Sequence, residues 1–286
     1  LLWSTLKNYL FLTKKENKFW SFFKIMLNNS ILNDLSLYGE EFMLGHGKTA
    51  CLLIHGFCCG PIQMREIAEH LCKWGFTARG ILLPGHCRNM GGLSVNLHHD
   101  WKEKVASEYQ QLQMHYEEVI VIGFSLGALL TLQLALEYPI ERIILMGTPI
   151  FIIREYLPTQ SLIRICKNFM KRIKAWKRRC YMESEGYTGY LHQPVDTYFS
   201  LHALYGIAEI IQAVDLRLKD VKSSTMVIHS KKDLIAAPAS AKYVMENLGS
   251  PHKRLVWLER SHHLMMYDKE KDVVFQAIRE FVTSSE

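Results

Sequence analysis

Apolar and polar positions along this chain follow two patterns, short continuous apolar runs and longer stretches with helical spacing. The apolar runs, rich in Val, Ile and Leu, indicate strands that are buried on both faces. Apolar residues three or four positions apart indicate amphipathic helices. The predicted strands cover residues 50–55, 76–82, 118–122, 141–146, 225–229 and 253–258, and the predicted helices cover about 61–74, 100–115, 128–136, 238–248 and 269 onward. This alternation predicts an α/β protein with a mostly parallel sheet flanked by helices.

Two of these helices carry a start signal of their own. Pro61 suits the first turn of a helix, where its missing N–H is not needed. Asp100 is followed by Glu103 three residues later, which resembles a capping box. We therefore expect the helix over 100–115 to begin at Asp100.

The alternation stops after Thr148-Pro149, and residues 150–220 show helical periodicity with no clear strand. They predict a helical insertion into a core that comprises residues 41–149 and 221–286. The insertion contains a basic run that would form the solvated face of a helix, with Trp176 turned inward; a membrane-facing or acid-binding surface is the alternative. The run consists of Arg164, Lys167, Lys171, Arg172, Lys174, Lys177, Arg178 and Arg179.

Residues 1–40 precede this core as an amphipathic extension. Within residues 1–32, aromatic side chains such as Trp3, Phe19 and Trp20 are interleaved with lysines. No stretch reaches 18 uncharged apolar residues, and lysines interrupt the apolar stretches, so neither a transmembrane helix nor a signal peptide is predicted. Two alternatives remain, peripheral contact with a membrane surface or packing onto the core.

Composition narrows the class of protein further. A chain of 286 residues with 49% hydrophobic residues can bury a large core. The formal net charge of +6 is too mild to indicate a nucleic-acid partner. Seven cysteines, without the spacing of a metal site or a disulfide framework, favour a reducing compartment and hence the cytoplasm. The oligomeric state is left open.

The strongest candidate for chemistry is Ser125, in the sequence Gly123-Phe124-Ser125-Leu126-Gly127. This is G-x-S-x-G placed between a buried strand and a helix, the context in which the pattern forms a sharp turn that exposes a nucleophilic serine. Gly123 and Gly127 fall where a side chain would collide with neighbouring backbone. We therefore predict that Ser125 is a nucleophile.

A serine needs a base and a third group that orients the base. Catalytic groups converge at the carboxyl ends of parallel strands. Asp233 follows the strand that ends at residue 229, and His263 follows the strand that ends at residue 258. The order Ser125, Asp233, His263 is the nucleophile, acid, base order of α/β-hydrolases. For the oxyanion, the backbone N–H groups of Leu126 and Phe57 are the predicted donors.

Together with these residues, longer motifs make the chain resemble α/β-hydrolases from about residue 41 to its C-terminus. The resemblance is greatest to the small bacterial carboxylesterases and monoacylglycerol lipases. The resemblance lies in LLIHGF (52–57), LLPGH (82–86), DW (100–101), VIGFSLGA (121–128), HSKKDLIAAPASA (229–241) and the late histidine with DKEKD (268–272). It implies the α/β-hydrolase fold, a helical cap formed by residues 150–220 over an acyl pocket, and a small-molecule acyl ester as substrate, without cofactor or metal. It also implies that the base is His263, with His262 where the family usually has glycine.

The predicted function is a serine hydrolase that cleaves short or medium acyl esters, or monoacylglycerols, through an acyl-enzyme. One alternative is a thioesterase or acyltransferase with the same triad, because an acyl-enzyme can be resolved by water or by another nucleophile. The other alternative is a catalytically silent, membrane-associated scaffold, which residues 1–40 and the basic run favour.

Overall fold

The computed structural model describes residues 39–87, 97–152, 176–178 and 198–284. In chain order, the described strands are β1 Phe42–Leu44, β2 Thr49–Ile54, β3 Thr77–Ile81, β4 Glu118–Phe124, β5 Arg142–Met146, β6 Trp176–Arg178, β7 Tyr198–Ser200, β8 Ser224–Ser230 and β9 Lys253–Leu258. Seven of them form the main sheet, in the order β1-β3-β2-β4-β5-β8-β9, in which β1 is antiparallel to β3 and the other neighbouring strands are parallel. The antiparallel edge strand β1 was not predicted, since three residues carry too little pattern.

Six α-helices are described, and they lie on both faces of the sheet. They are α1 Arg65–Lys73, α2 Leu97–Gln113, α3 Leu126–Ala135, α4 Leu201–Asp215, α5 Pro238–Asn247 and α6 Lys271–Thr283. A 3-10 turn, Pro61–Met64, precedes α1. The helix α2 begins three residues before Asp100, so the predicted start at Asp100 is wrong and that carboxylate lies in the first turn instead. In the described ranges, no helix has the length and apolarity that a membrane span requires.

The sheet is buried on both faces because its apolar residues alternate between two core clusters. Val119 and Val121 of β4 pack with α2, α3, α4 and α5, whereas Ile120 and Ile122 pack with α1 and α6. Successive side chains of a strand point to opposite faces, so a continuous apolar run serves both layers at once. The doubly covered parallel sheet that the runs predicted is confirmed.

The insertion after β5 is described only in part. Trp176–Arg178 (β6) pairs with Tyr198–Ser200 (β7) as a two-stranded antiparallel sheet, so the end of the predicted basic helix is a strand. The helix α4 follows, and Ile207 and Ile211 on it belong to the same core cluster as Leu129 of α3. The rest of the basic run, and residues 1–38 of the N-terminal extension, lie outside the described residues.

Candidate active site

Ser125 lies in the turn between β4 and α3, at the centre of the sheet. Its backbone has φ 53° and ψ −113°, a left-handed conformation that a non-glycine residue adopts at a cost on the order of 1–3 kcal/mol. Its N–H donates to the Met146 carbonyl at the end of β5, 2.8 Å away. The whole residue is 8% exposed. The neighbouring strand therefore holds the turn that presents this hydroxyl.

The two glycines of the turn are required by close backbone contacts. A Cβ on Gly123 would lie 2.2 Å from the Gly127 carbonyl oxygen, and one on Gly127 would lie 2.1 Å from the Ile54 oxygen. No carbon–oxygen contact of that length is tolerated, so a side chain at either position would displace backbone. The sequence argument for Gly123 and Gly127 is confirmed by this geometry.

Asp233 and His263 converge on Ser125. The His263 Nδ1–H donates to Asp233 Oδ2 over 2.6 Å, and the Ser125 hydroxyl donates to His263 Nε2 over 3.0 Å. This assignment follows from the carboxylate, which can only accept, and it leaves Nε2 as an acceptor. The structure thus joins all three predicted side chains in one hydrogen-bonded chain, in which the serine proton faces a base.

The carboxylate of Asp233 is buried but stays charged. Burial would raise its pKa, but the charge and hydrogen bond of His263 and the Ile235 N–H outweigh that effect and lower the pKa below its usual value. Its second oxygen, Oδ1, accepts the N–H groups of Ile235 and Ala236 at 2.8 and 2.9 Å. These bonds fix the orientation of the carboxylate, and through it the tautomer of His263.

His262, next to His263, faces a different acid. Its Nδ1–H donates to Asp268 Oδ2 over 3.0 Å, and its backbone N–H donates to the same oxygen over 2.7 Å. The His262 side chain is 30% exposed, whereas that of His263 is 10% exposed. Of the two adjacent histidines, His263 is the one that reaches Ser125.

The two predicted oxyanion donors lie on adjacent elements. Leu126 is the first residue of α3, where a backbone N–H has no acceptor within its own helix. Phe57 lies in the loop after β2, and β2 is in register with β4, Ile54 opposite Gly123. The loop is therefore held beside the serine turn. Whether both N–H groups bind one oxyanion remains a prediction.

The loop that carries Phe57 is fixed by His55, which the sequence favours as a brace for this loop, and by Gln63, which the sequence analysis missed. The side-chain oxygen of Gln63 accepts the Gly56 N–H over 2.8 Å, and its amide donates to Cys59 Sγ over 3.2 Å. The neutral ring of His55 donates from Nδ1 to the Gly56 carbonyl and accepts the Leu83 N–H at Nε2. Burial lowers the pKa of His55 to about 4, so the ring stays neutral.

The loop that carries Asp233, residues 231–237 (the acid loop), has comparable support from His229, which the sequence analysis missed. Its Nε2–H donates to the Ala236 carbonyl over 3.0 Å, and the same nitrogen lies 3.7 Å from Asp233 Oδ2. Burial lowers the pKa of His229, which keeps the ring neutral beside this acid. A histidine at the end of a strand carries no sequence signal for such a role.

No set of three or more His, Cys, Asp or Glu side chains in the described ranges is arranged to hold a metal ion. Cys51, Cys58, Cys59, Cys72 and Cys87 are not joined to one another by disulfides.

Comparison with known proteins places this geometry among hydrolases. The family profile described as "Serine aminopeptidase, S33" matches residues 45–270. A carboxylesterase of Bacillus subtilis (strain 168) is 28% identical over 244 residues, which cover 85% of this chain and 96% of the relative. A thermostable monoacylglycerol lipase of Bacillus sp. (strain H-257) is 24% identical over 247 residues, covering 85% and 93%. A solved chain from a study of two metagenome-derived lipolytic enzymes shares the fold, with a TM-score of 0.75, 21% identity, and coverage of 85% and 97%.

Proposed function

The chain belongs to the α/β-hydrolase family described as serine aminopeptidase, S33, and from this premise we propose that it is a serine hydrolase that cleaves carboxylic esters through an acyl-enzyme. The observation that carries the proposal is the hydrogen-bonded chain from Ser125 through His263 to Asp233, built on a strained strand-to-helix turn. Strain of this kind is retained where it positions a reacting group.

In the first half of the reaction, Ser125 Oγ attacks the ester carbonyl carbon while His263 Nε2 takes the hydroxyl proton. The carbonyl oxygen gains the negative charge, and the N–H groups of Phe57 and Leu126 stabilise it, aided by the positive end of α3. When the tetrahedral intermediate collapses, the bond to the alkoxy group breaks and His263 returns the proton to it. An alcohol leaves, and the acyl group remains on Ser125.

In the second half, water takes the place of the alcohol. His263 removes a proton from water, the resulting nucleophile attacks the acyl carbon, and Ser125 recovers its proton as the carboxylic acid leaves. Asp233 stabilises the imidazolium that forms twice in each cycle. Apart from the ester and water, no group outside this chain is needed for any step, so we propose that the reaction proceeds without cofactor or metal.

The names of the relatives support esters as the substrate class. They are a carboxylesterase and a monoacylglycerol lipase, so we propose short or medium acyl esters or monoacylglycerols, bound in an acyl pocket beneath a cap formed within residues 150–220. The same triad could transfer the acyl group to another acceptor or open a thioester. The family description names an aminopeptidase, so anilides belong in the same assay.

The experiment compares the parent chain with Ser125→Ala on p-nitrophenyl esters of increasing acyl length. We expect turnover to fall on the order of 10⁶-fold, because triad members act as a unit, and labelling by a fluorophosphonate probe to disappear. Ser107→Ala, at an exposed position of α2, is the matched control and should match the parent. Retained labelling in Ser125→Ala, or faster cleavage of aminoacyl anilides or thioesters than of every ester, would overturn the proposal.

We also propose peripheral membrane contact through residues 1–32, in a protein of the cytoplasm. The support is compositional, aromatic residues interleaved with lysines. Deleting residues 1–32 should abolish co-sedimentation with anionic liposomes and leave turnover of a soluble ester unchanged. If the deletion makes the protein inactive or insoluble, these residues pack on the core and the idea fails.

A further inference from the structure

The segment between β9 and His263 is held by two carboxylates from the residues that follow it. Glu270 Oε1 accepts the Glu259 N–H over 3.1 Å, and Oε2 accepts the N–H groups of Arg260 and Ser261, each over 2.8 Å. The next N–H along the chain, that of His262, donates to Asp268 Oδ2 over 2.7 Å. Four consecutive backbone N–H groups therefore point at these two side chains.

Ser261 makes two further hydrogen bonds to Glu270 through its hydroxyl group. Its hydroxyl donates to Glu270 Oε2 over 2.8 Å and accepts the Glu270 N–H over 3.1 Å. Its carbonyl accepts the hydroxyl of Ser230, at the end of β8 and three residues before Asp233. The segment is thus tied to the start of α6 on one side and to the acid loop on the other.

Burial and charge make these bonds strong. Asp268 and Glu270 are each less than a tenth exposed, and hydrogen bonds to a charged acceptor are about twice as strong as neutral ones. Burial would raise the pKa of Glu270, but the N–H groups of Arg260 and Ser261 and the Ser261 hydroxyl lower it to about 2. Burial would raise the pKa of Asp268 as well, but the N–H groups of Lys269 and His262 lower it below its usual value. Both carboxylates therefore stay charged at neutral pH.

In these hydrogen bonds neither carboxylate contacts Ser125, Asp233 or the ring of His263, but both hold the four residues that directly precede His263. The His263 ring makes two hydrogen bonds at once, from Nδ1 to Asp233 over 2.6 Å and from the Ser125 hydroxyl to Nε2 over 3.0 Å. It also packs against Phe124, with the ring centroids 4.9 Å apart. A shift of the backbone by about 1 Å would lengthen at least one of these hydrogen bonds, and misplacement on that scale costs about 100-fold in rate.

We propose that Glu270 and Asp268 are positioning residues for His263, which gather four backbone N–H groups so that the imidazole meets Ser125 and Asp233 together. The inference rests on the proposed function, since it concerns the base of that reaction. The carboxylates act through His263 and make no contact of their own with the substrate.

The test uses Glu270→Gln and Asp268→Asn in the full chain, with Asp272→Asn as matched control. Asp272 is also an acid at the start of α6, but it is exposed. On a p-nitrophenyl ester, kcat per folded molecule should fall between tenfold and 100-fold in Glu270→Gln, and about tenfold in Asp268→Asn. KM should stay within about twofold of the parent value in both variants, and the control should match the parent.

Two further readouts separate positioning from a purely structural role. The strongly deshielded proton resonance that a short His–Asp hydrogen bond gives should broaden or vanish in Glu270→Gln and persist in Asp272→Asn. In a His263→Ala background, Glu270→Gln should cause no further loss, because residues that act through one group are not additive.

The inference is overturned if folded Glu270→Gln keeps kcat within about twofold of the parent, or if it loses the same factor with and without His263. If Glu270→Gln does not fold, Asp268→Asn decides by the same two criteria. Failure of the proposed function would look different, because Ser125→Ala would then keep its turnover and its fluorophosphonate labelling.

Discussion

Replacing the two adjacent histidines one at a time gives the sharpest test of the site. His263→Ala removes the acceptor that lies 3.0 Å from the Ser125 hydroxyl and the donor that lies 2.6 Å from Asp233. Loss of the general base should lower turnover at least about 10³-fold, which corresponds to roughly 4 kcal/mol of transition-state stabilisation.

The loss at His262 should be much smaller, and the structure sets its size. His262→Ala deletes one ring-to-carboxylate hydrogen bond, from a side chain that is 30% exposed. The backbone N–H of residue 262 still donates to Asp268. A partly exposed bond of this kind is worth roughly 1 kcal/mol, so turnover should fall about fivefold even if all of that energy positions the loop.

The assay measures kcat on a p-nitrophenyl ester and the rate of fluorophosphonate labelling for both variants, with circular dichroism to establish that each is folded. A greater loss in His262→Ala than in His263→Ala would refute the reasoning, because it would mean that the loop adopts the other register in solution. Equal losses would refute it as well, since the geometry gives the two rings different partners.

Two further predictions concern stability. Burial lowers the pKa of His55 to about 4, whereas the ring in the unfolded chain binds its proton near pH 6.5. The free energy of unfolding should therefore fall by on the order of 3 kcal/mol as the pH falls from about 6.5 to 4. A melting temperature that does not change between pH 7 and pH 5 would contradict this. Gly127→Ala would place a Cβ 2.1 Å from the Ile54 oxygen, so the turn must shift, and we expect a melting temperature lower by several degrees, with loss of ester turnover.

Much of the fold and of the site could be predicted from the sequence because those features depend on local pattern. The apolar runs identify strands that are covered on both faces, and the alternation with helices makes the sheet parallel. In such a sheet the loops after the strands meet at one edge, so Ser125, Asp233 and His263 could be expected together from their order alone. The glycines around Ser125 follow from the turn that this pattern requires.

The contacts that hold the loops of the site in place are visible only in the tertiary structure. The roles of Gln63, His229, Asp268 and Glu270 depend on where a side chain meets backbone six to eleven residues away, and no periodicity encodes that distance. The antiparallel pairing of β1 with β3, and that of β6 with β7, were missed for a related reason. A strand of three residues is stabilised by its partner strand, and its own sequence is too short to show a pattern. Local sequence determined which groups could react, and long-range packing determined how firmly each of them is held.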